Sequence, residues 1–171
     1  MTESLEDFAL GKKNNKQQGS IQKVGIIGCG FMGQEITRII SQHGMEVIFI
    51  ELSEERIKEV YVELEQQMDE LIEKWGLTEG EKRAILSRIK GSANYEDIKD
   101  VDLVIETINS KKPGSNIEFR KEVFRKVEEV VSEDTVITSN NSTLMISDLA
   151  DVLEHAERAV GLHFINPVGF V

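Results

Sequence analysis

The chain is poor in the residues that a secreted scaffold, a metal centre or a polyanion binder would use. Its 171 residues include one cysteine, Cys29, so no intrachain disulfide can form and nothing asks for an oxidising compartment. A cytoplasmic location is the expectation that follows. The three histidines, His43, His155 and His163, lie far apart in sequence and give no metal-ligand spacing. Basic residues number 20 against 31 acidic ones, a formal net charge of −11. That balance argues against nucleic acid or a membrane surface as partner, since both are recognised through clustered Lys and Arg. No apolar run approaches the roughly 18 residues of a membrane span, and residues 1–20 lack the apolar centre of a signal peptide. With 40% hydrophobic and 30% charged residues, the composition suits one soluble globular domain.

Residues 1–20 read as a flexible leader, because the stretch from Gly11 to Ser20 is polar throughout and offers no surface to bury. Residues 21–171 read as the folded domain. Lys23 to Gly28 and Glu46 to Glu51 are short apolar runs of the kind a fully covered strand shows, and Met32, Ile36, Ile39 and Ile40 repeat between them at helical spacing. Gly44 offers a residue able to take positive φ just past that helix. Strand, helix and strand at this spacing describe a βαβ unit. A long amphipathic helix follows, capped by Ser53, with Ile57, Val60, Tyr61, Leu64, Met68, Leu71, Ile72 and Trp75 on its apolar face. Thr78 to Glu81 has the form of a capping box, and it opens a second helix running through Ile85 and Ile89 to Gly91. Strand signals return at residues 102–106, 135–138 and 159–163, separated by helical stretches through Val123, Phe124 and Val127 and through Ile146, Leu149 and Leu153. The expectation is an α/β, Rossmann-type, doubly wound and mostly parallel sheet, with a helical hairpin inserted after the second strand.

The strongest local signal is Gly28-Cys29-Gly30-Phe31-Met32-Gly33, where a strand turns into a helix. Gly28 permits the turn, Gly30 removes a side chain that would block a pyrophosphate, and Gly33 lets the helix approach the sheet. The amides of the first helical turn, including Phe31 and Met32, then point at phosphate. Glu51 ends the second strand, 23 residues after Gly28, where a carboxylate can accept from ribose hydroxyls and repel a 2′-phosphate. NAD is the expected cofactor. Cys29 reads as a small filler without a base beside it. A second constellation pairs Ser139-Asn140-Asn141-Ser142-Thr143 with Gly161-Leu162-His163-Phe164-Ile165-Asn166-Pro167, each at the carboxyl end of a strand. Neighbouring parallel strands would bring Ser142 and His163 to one site, and a histidine titrating near neutrality can take a hydroxyl proton. His163 as a structural histidine and Ser142 as a turn residue are the plainer alternatives. His43 and His155 read as cations at helix C-termini.

Taken in order, these motifs, the hairpin after Glu51 and Asp102-Leu103-Val104-Ile105-Glu106 resemble the NAD-binding domain of 3-hydroxyacyl-CoA dehydrogenases, from about Lys23 to the end of the chain. The resemblance implies that His163 is the catalytic base, with Asn166 beside it in the motif, and that Ser142 holds the substrate oxygen. It implies cofactor contacts from Gly28, Gly30, Phe31, Met32, Gly33, Glu51, Glu106 and Asn140. It also places Lys74 of the hairpin near the CoA moiety of an acyl-CoA substrate. The family usually has Thr at the place of Asn141 and Phe at that of Ile165. Its segment after Glu106 is shorter than the one here, so Arg120 falls where the family carries a lysine. The family's histidine-orienting glutamate and helical, dimerising C-terminal domain would follow Val171. The expectation is therefore an NAD-dependent 3-hydroxyacyl-CoA dehydrogenase represented by its cofactor domain, inactive alone and a homodimer only with the further domain. A non-catalytic NAD-binding sensor or scaffold is the alternative, and a dehydrogenase of free hydroxyacids a third reading.

Overall fold

The computed structural model describes residues 20–109 and 116–168. The expected leader apart from Ser20, residues 110–115 of the long loop and residues 169–171 lie outside them. One parallel sheet contains β1 (Lys23–Ile27), β2 (Glu46–Ile50), β3 (Ile89–Ser92), β4 (Leu103–Glu106), β5 (Val136–Ser139) and β6 (Ala159–Gly161), in the order β3-β2-β1-β4-β5-β6. The helices are α1 (Phe31–Gln42), α2 (Glu54–Glu73), α3 (Glu79–Leu86), α4 (Ile117–Val130) and α5 (Ile146–Ala150). The chain winds outward from β1 to β3, then returns to place β4 on the other side of β1. That reversal opens a crevice at the carboxyl ends of β1 and β4.

The strands read as continuous apolar runs because both faces are covered. Val24, Ile26, Val47, Phe49 and Ile105 join a core with Ile36 of α1, Leu64 and Met68 of α2 and Ile85 of α3. Their neighbours in sequence, Ile27, Ile48, Ile50 and Val104, join the opposite core with Val123, Phe124 and Val127 of α4 and Leu149 of α5. Alternation along each strand thus serves two cores at once. Helix starts follow the sequence: Ser53 Oγ accepts from the Arg56 N–H at 3.2 Å, and Thr78 and Glu81 close a capping box. Gly44 takes a φ of 91° beyond α1.

Four expectations are corrected. The second hairpin helix stops at Leu86, and Ile89 to Ser92 is a strand paired with β2. Tyr61 of α2 covers this outer strand, its hydroxyl donating to the Ile89 carbonyl at 3.1 Å and accepting from the Gly91 N–H at 3.0 Å. A Cβ at Gly91 would lie 2.5 Å from Ile57 and 2.6 Å from Phe49, so only glycine lets α2 sit there. Trp75 is not on the buried face: it takes a φ of 58° and is 95% exposed. The Trp75 and Gly76 N–H groups bond back to Ile72 and Leu71, at 3.0 and 2.8 Å, so the helix ends in a left-handed turn that throws the indole outward. The helix after Ser142 is only Ile146–Ala150, short of Leu153, and His155 stands before a 3-10 turn rather than at a helix C-terminus.

Candidate active site

A cleft of about 470 Å³ lies at the carboxyl ends of β1, β4 and β5. Gly30, Phe31 and Met32 line one wall, Thr107, Ile108 and Asn109 the floor, and Asn140 to Thr143 the other wall. Gly28 makes the turn with a φ of 82°, its N–H bonded to the Ile50 carbonyl at 3.0 Å. At Gly33 a Cβ would lie 2.5 Å from the Gly28 carbonyl oxygen and 2.7 Å from Thr107 Oγ1, which shows how closely α1 sits on the turn. A Cβ at Gly30 would meet nothing within 4 Å, and no side chain caps the first turn of α1. An open, uncapped helix N-terminus over a glycine turn fits the pyrophosphate of a dinucleotide.

Half-buried Glu51 follows β2 and faces the same turn. Its Oε1 accepts from the Cys29 N–H at 2.7 Å and its Oε2 from the Leu52 N–H at 3.2 Å. Cys29 itself is wholly buried, and that burial pushes its thiol up to about 12, so it stays protonated and inert. Glu106 is different. It is 1% exposed and ion-paired with the equally buried Arg120 of α4. Its Oε1 also accepts from the Ile108 N–H at 2.6 Å and its Oε2 from the Ser139 hydroxyl at 2.6 Å. The structure thus sets Glu106 beneath the cleft floor, outside the lining.

Asn140 ties β4, β5 and the segment after β6 together. Its N–H donates to the Glu106 carbonyl at 2.8 Å, its carbonyl accepts from His163 Nδ1 at 2.7 Å, and its Oδ1 accepts from the Phe164 N–H at 2.7 Å. His163 itself is exposed and outside the lining, joined to the cleft wall by its contact with Asn140. Ser142 is exposed on the cleft wall, on a turn built by Asn141, whose Oδ1 accepts from the N–H groups of Thr143 and Leu144 at 2.7 and 2.8 Å. Asn166 is exposed and outside the lining, and exposed Lys74 ends α2, its Nζ 3.8 Å from Glu70. No hairpin residue lines this cleft. Sequence reasoning missed Thr107 and Ile108 as floor residues and the Arg120 pair beneath them. The rule that ligands gather at strand carboxyl ends was the signal for the first two.

Comparison with known proteins agrees with this geometry. Residues 23–171 match the sequence model of the family described as 3-hydroxyacyl-CoA dehydrogenase, NAD binding domain. The chain is 31% identical over 146 residues to a 3-hydroxybutyryl-CoA dehydrogenase of Clostridioides difficile, covering 85% of this chain and 50% of that protein. It is 30% identical over 159 residues to the fatty acid oxidation complex subunit alpha of Psychrobacter cryohalolentis, covering 93% of this chain and 21% of that one. The crystal structure of (S)-3-hydroxybutyryl-CoA dehydrogenase from Ralstonia eutropha matches with a TM-score of 0.80 at 35% identity, over 87% of this chain and 51% of its own. The chain thus spans about half the length of the dehydrogenases and a fifth of the larger protein. With a glycine turn at the reversal of a doubly wound sheet and an acidic residue ending β2, it belongs to the 3-hydroxyacyl-CoA dehydrogenase family and carries that family's NAD-binding domain.

Proposed function

We propose that the chain is the cofactor half of an NAD-dependent dehydrogenase that oxidises a 3-hydroxyacyl-CoA to the 3-ketoacyl-CoA. The observation that carries this reading is the 2.7 Å contact between His163 Nδ1 and the Asn140 carbonyl oxygen. A carbonyl cannot donate, so Nδ1 carries a proton, and in the neutral ring the lone pair is then on Nε2. Nε2 is then the base that takes the proton from the substrate hydroxyl. Ser142 donates a hydrogen bond to the same oxygen from the cleft wall, with Asn166 following His163 on its segment. NAD supplies the acceptor for the hydride that leaves C3. Gly28, Gly30 and Gly33, with the amides around Phe31 and Met32, hold the pyrophosphate. Glu51 accepts from the adenosine ribose, and its charge disfavours a 2′-phosphate. Lys74 attracts the CoA phosphates, and dimerisation and a cytoplasmic location go with this reading.

His163 is exposed, and among the described residues nothing closes over it. A base open to water loses the alignment and desolvation on which catalysis depends. The 171-residue chain should therefore bind NADH in a fluorescence titration yet form NADH from 3-hydroxybutyryl-CoA negligibly. A longer polypeptide with the family's helical domain should turn over, and His163→Ala in it should lower the rate by about 10²- to 10⁴-fold. Gly30→Val should abolish NADH binding without a change in thermal midpoint, because its Cβ enters open space. A longer polypeptide that binds NADH and never turns over would point to an NAD-sensing module instead.

A further inference from the structure

We infer that Arg120 is a positioning residue for the nicotinamide side of the cleft, an inference that rests on the NAD-dependent reading above. Arg120 lies on α4, 1% exposed, beneath the floor formed by Thr107 and Ile108. Its ion pair with Glu106 holds both backbone groups of Ile108. The Ile108 N–H donates to Glu106 Oε1 at 2.6 Å, and the Ile108 carbonyl accepts from Arg120 NH2 at 2.7 Å. β4 ends at Glu106, so Ile108 has left the strand and depends on these two side chains. From there it packs on the glycine turn: a Cβ built on Gly28 would lie 3.3 Å from its Cγ1. The other Glu106 oxygen accepts from the Ser139 hydroxyl at 2.6 Å, and Ser139 Oγ accepts from the Asn141 N–H at 3.1 Å. One buried pair therefore fixes the floor and the root of the turn that presents Ser142.

Stability alone does not explain this arrangement. A buried ion pair gains little over an apolar pair of equal volume, because desolvation offsets the attraction. An apolar pair, however, would leave the Ile108 peptide without partners in a segment that has no ladder. Lysine is no substitute either, since one ammonium lacks the planar fork that bonds a carboxylate and a carbonyl side by side. Arg120 touches neither substrate nor the adenosine side, where Glu51 stands across the glycine turn. Its effect should fall on one half of the dinucleotide, because the two halves lie on opposite sides of the switch point.

The test compares NADH with ADP-ribose, which keeps the adenosine half and lacks the nicotinamide ring. Binding by the 171-residue chain is measured calorimetrically for Arg120→Lys and for the neutral double variant Glu106→Gln/Arg120→Met. The second leaves no buried charge unpaired and keeps the question answerable if the lysine variant fails to fold. The expected result in either is NADH affinity down about tenfold, the effect of losing one charge-assisted hydrogen bond, with ADP-ribose affinity unchanged. Equal losses for both ligands would reduce Arg120 to a general structural role and overturn the inference, as would unchanged NADH affinity in both variants. A wild-type chain that binds neither ligand would instead sink the NAD-dependent reading.

Discussion

Two glutamates flank β1 one residue apart in level, Glu51 just past β2 and Glu106 at the end of β4, and the fold uses them in opposite ways. Each accepts a backbone N–H from the loop beside it, Cys29 for one and Ile108 for the other. Glu51 has no cation bonded to its carboxylate among the described hydrogen bonds and keeps a half-exposed side chain, so a ligand can share it. Glu106 is closed off by Arg120 and Ser139 and is 1% exposed. Residue type is alike, but Glu106 is level with Ile27 and Ile50 while Glu51 lies one residue further on, so the two carboxylates leave opposite faces of the sheet. The difference comes from the helix behind the sheet: α4 delivers a guanidinium to one carboxylate, while the chain after β2 leaves the other facing the cleft rim. An acidic residue at a strand end is thus open to a ligand only where no buried partner claims it.

The same substitution at both sites breaks the comparison most sharply. Glu106→Gln leaves Arg120 buried without its counter-charge and should cost about 3–5 kcal/mol in a urea unfolding curve. Adding Arg120→Met should restore most of that loss, because the uncompensated charge goes with it. A Glu106→Gln variant as stable as the parent would show that the pair is wet or loose.

Glu51→Gln should change stability by less than about 0.5 kcal/mol, since the amide oxygen still accepts from the Cys29 N–H. Its effect belongs to the ligand. Discrimination of NADH over NADPH should fall by about tenfold or more, as charge repulsion and charged acceptance are both lost. Unaltered discrimination in an intact fold would mean that another group reads the ribose.

The glycine turn and the place of Glu51 were legible in the sequence and the Glu106–Arg120 pair was not, for a physical reason. Gly28, Gly30, Gly33 and Glu51 sit at fixed spacing on local backbone geometry, and each leaves a signature in residue type. Arg120 meets Glu106 across a sheet face, from a helix whose period shows only that Arg120 shares a side with Phe124 and Val127. Burial of a cation leaves no mark in the pattern. The missed strand β3 failed differently. Ile89 stands four residues after Ile85 and so continues a helical period, while Lys90 and Gly91 give no apolar run. Tyr61, far away in sequence, covers the strand's outer side. Trp75 misled in the same way, three residues after Ile72 but beyond the left-handed turn. His163 was placed at the right strand end, whereas its partner proved to be the Asn140 backbone, which no side-chain pattern could announce.

The smallest expected effect concerns the charges on the Glu51 side, which are half-exposed where those beneath Glu106 are dry. Arg56 forks onto Glu63 at 2.9 and 3.0 Å, and Gln34 donates to the same carboxylate while also bonding the Cys29 carbonyl at 3.2 Å. The Arg56 hydrogen bonds hold the Glu63 carboxyl below its ordinary range, against a smaller opposing effect of burial. A carboxyl lowered on folding contributes stability above its unfolded value, about 4.3, and loses it as pH falls through the folded value. Glu63 keeps 40% of its side chain exposed, so solvent screening limits the contribution to a few tenths of a kcal/mol. Glu63→Gln should therefore flatten the acid limb of the stability curve slightly below about pH 4.3 and leave the neutral region nearly unchanged. Added salt should shrink the difference further, as it does for exposed pairs. A loss at neutral pH approaching that of Glu106→Gln would show that the two flanks of β1 are equally dry, and the contrast between the two glutamates would then have to rest on Arg120 alone.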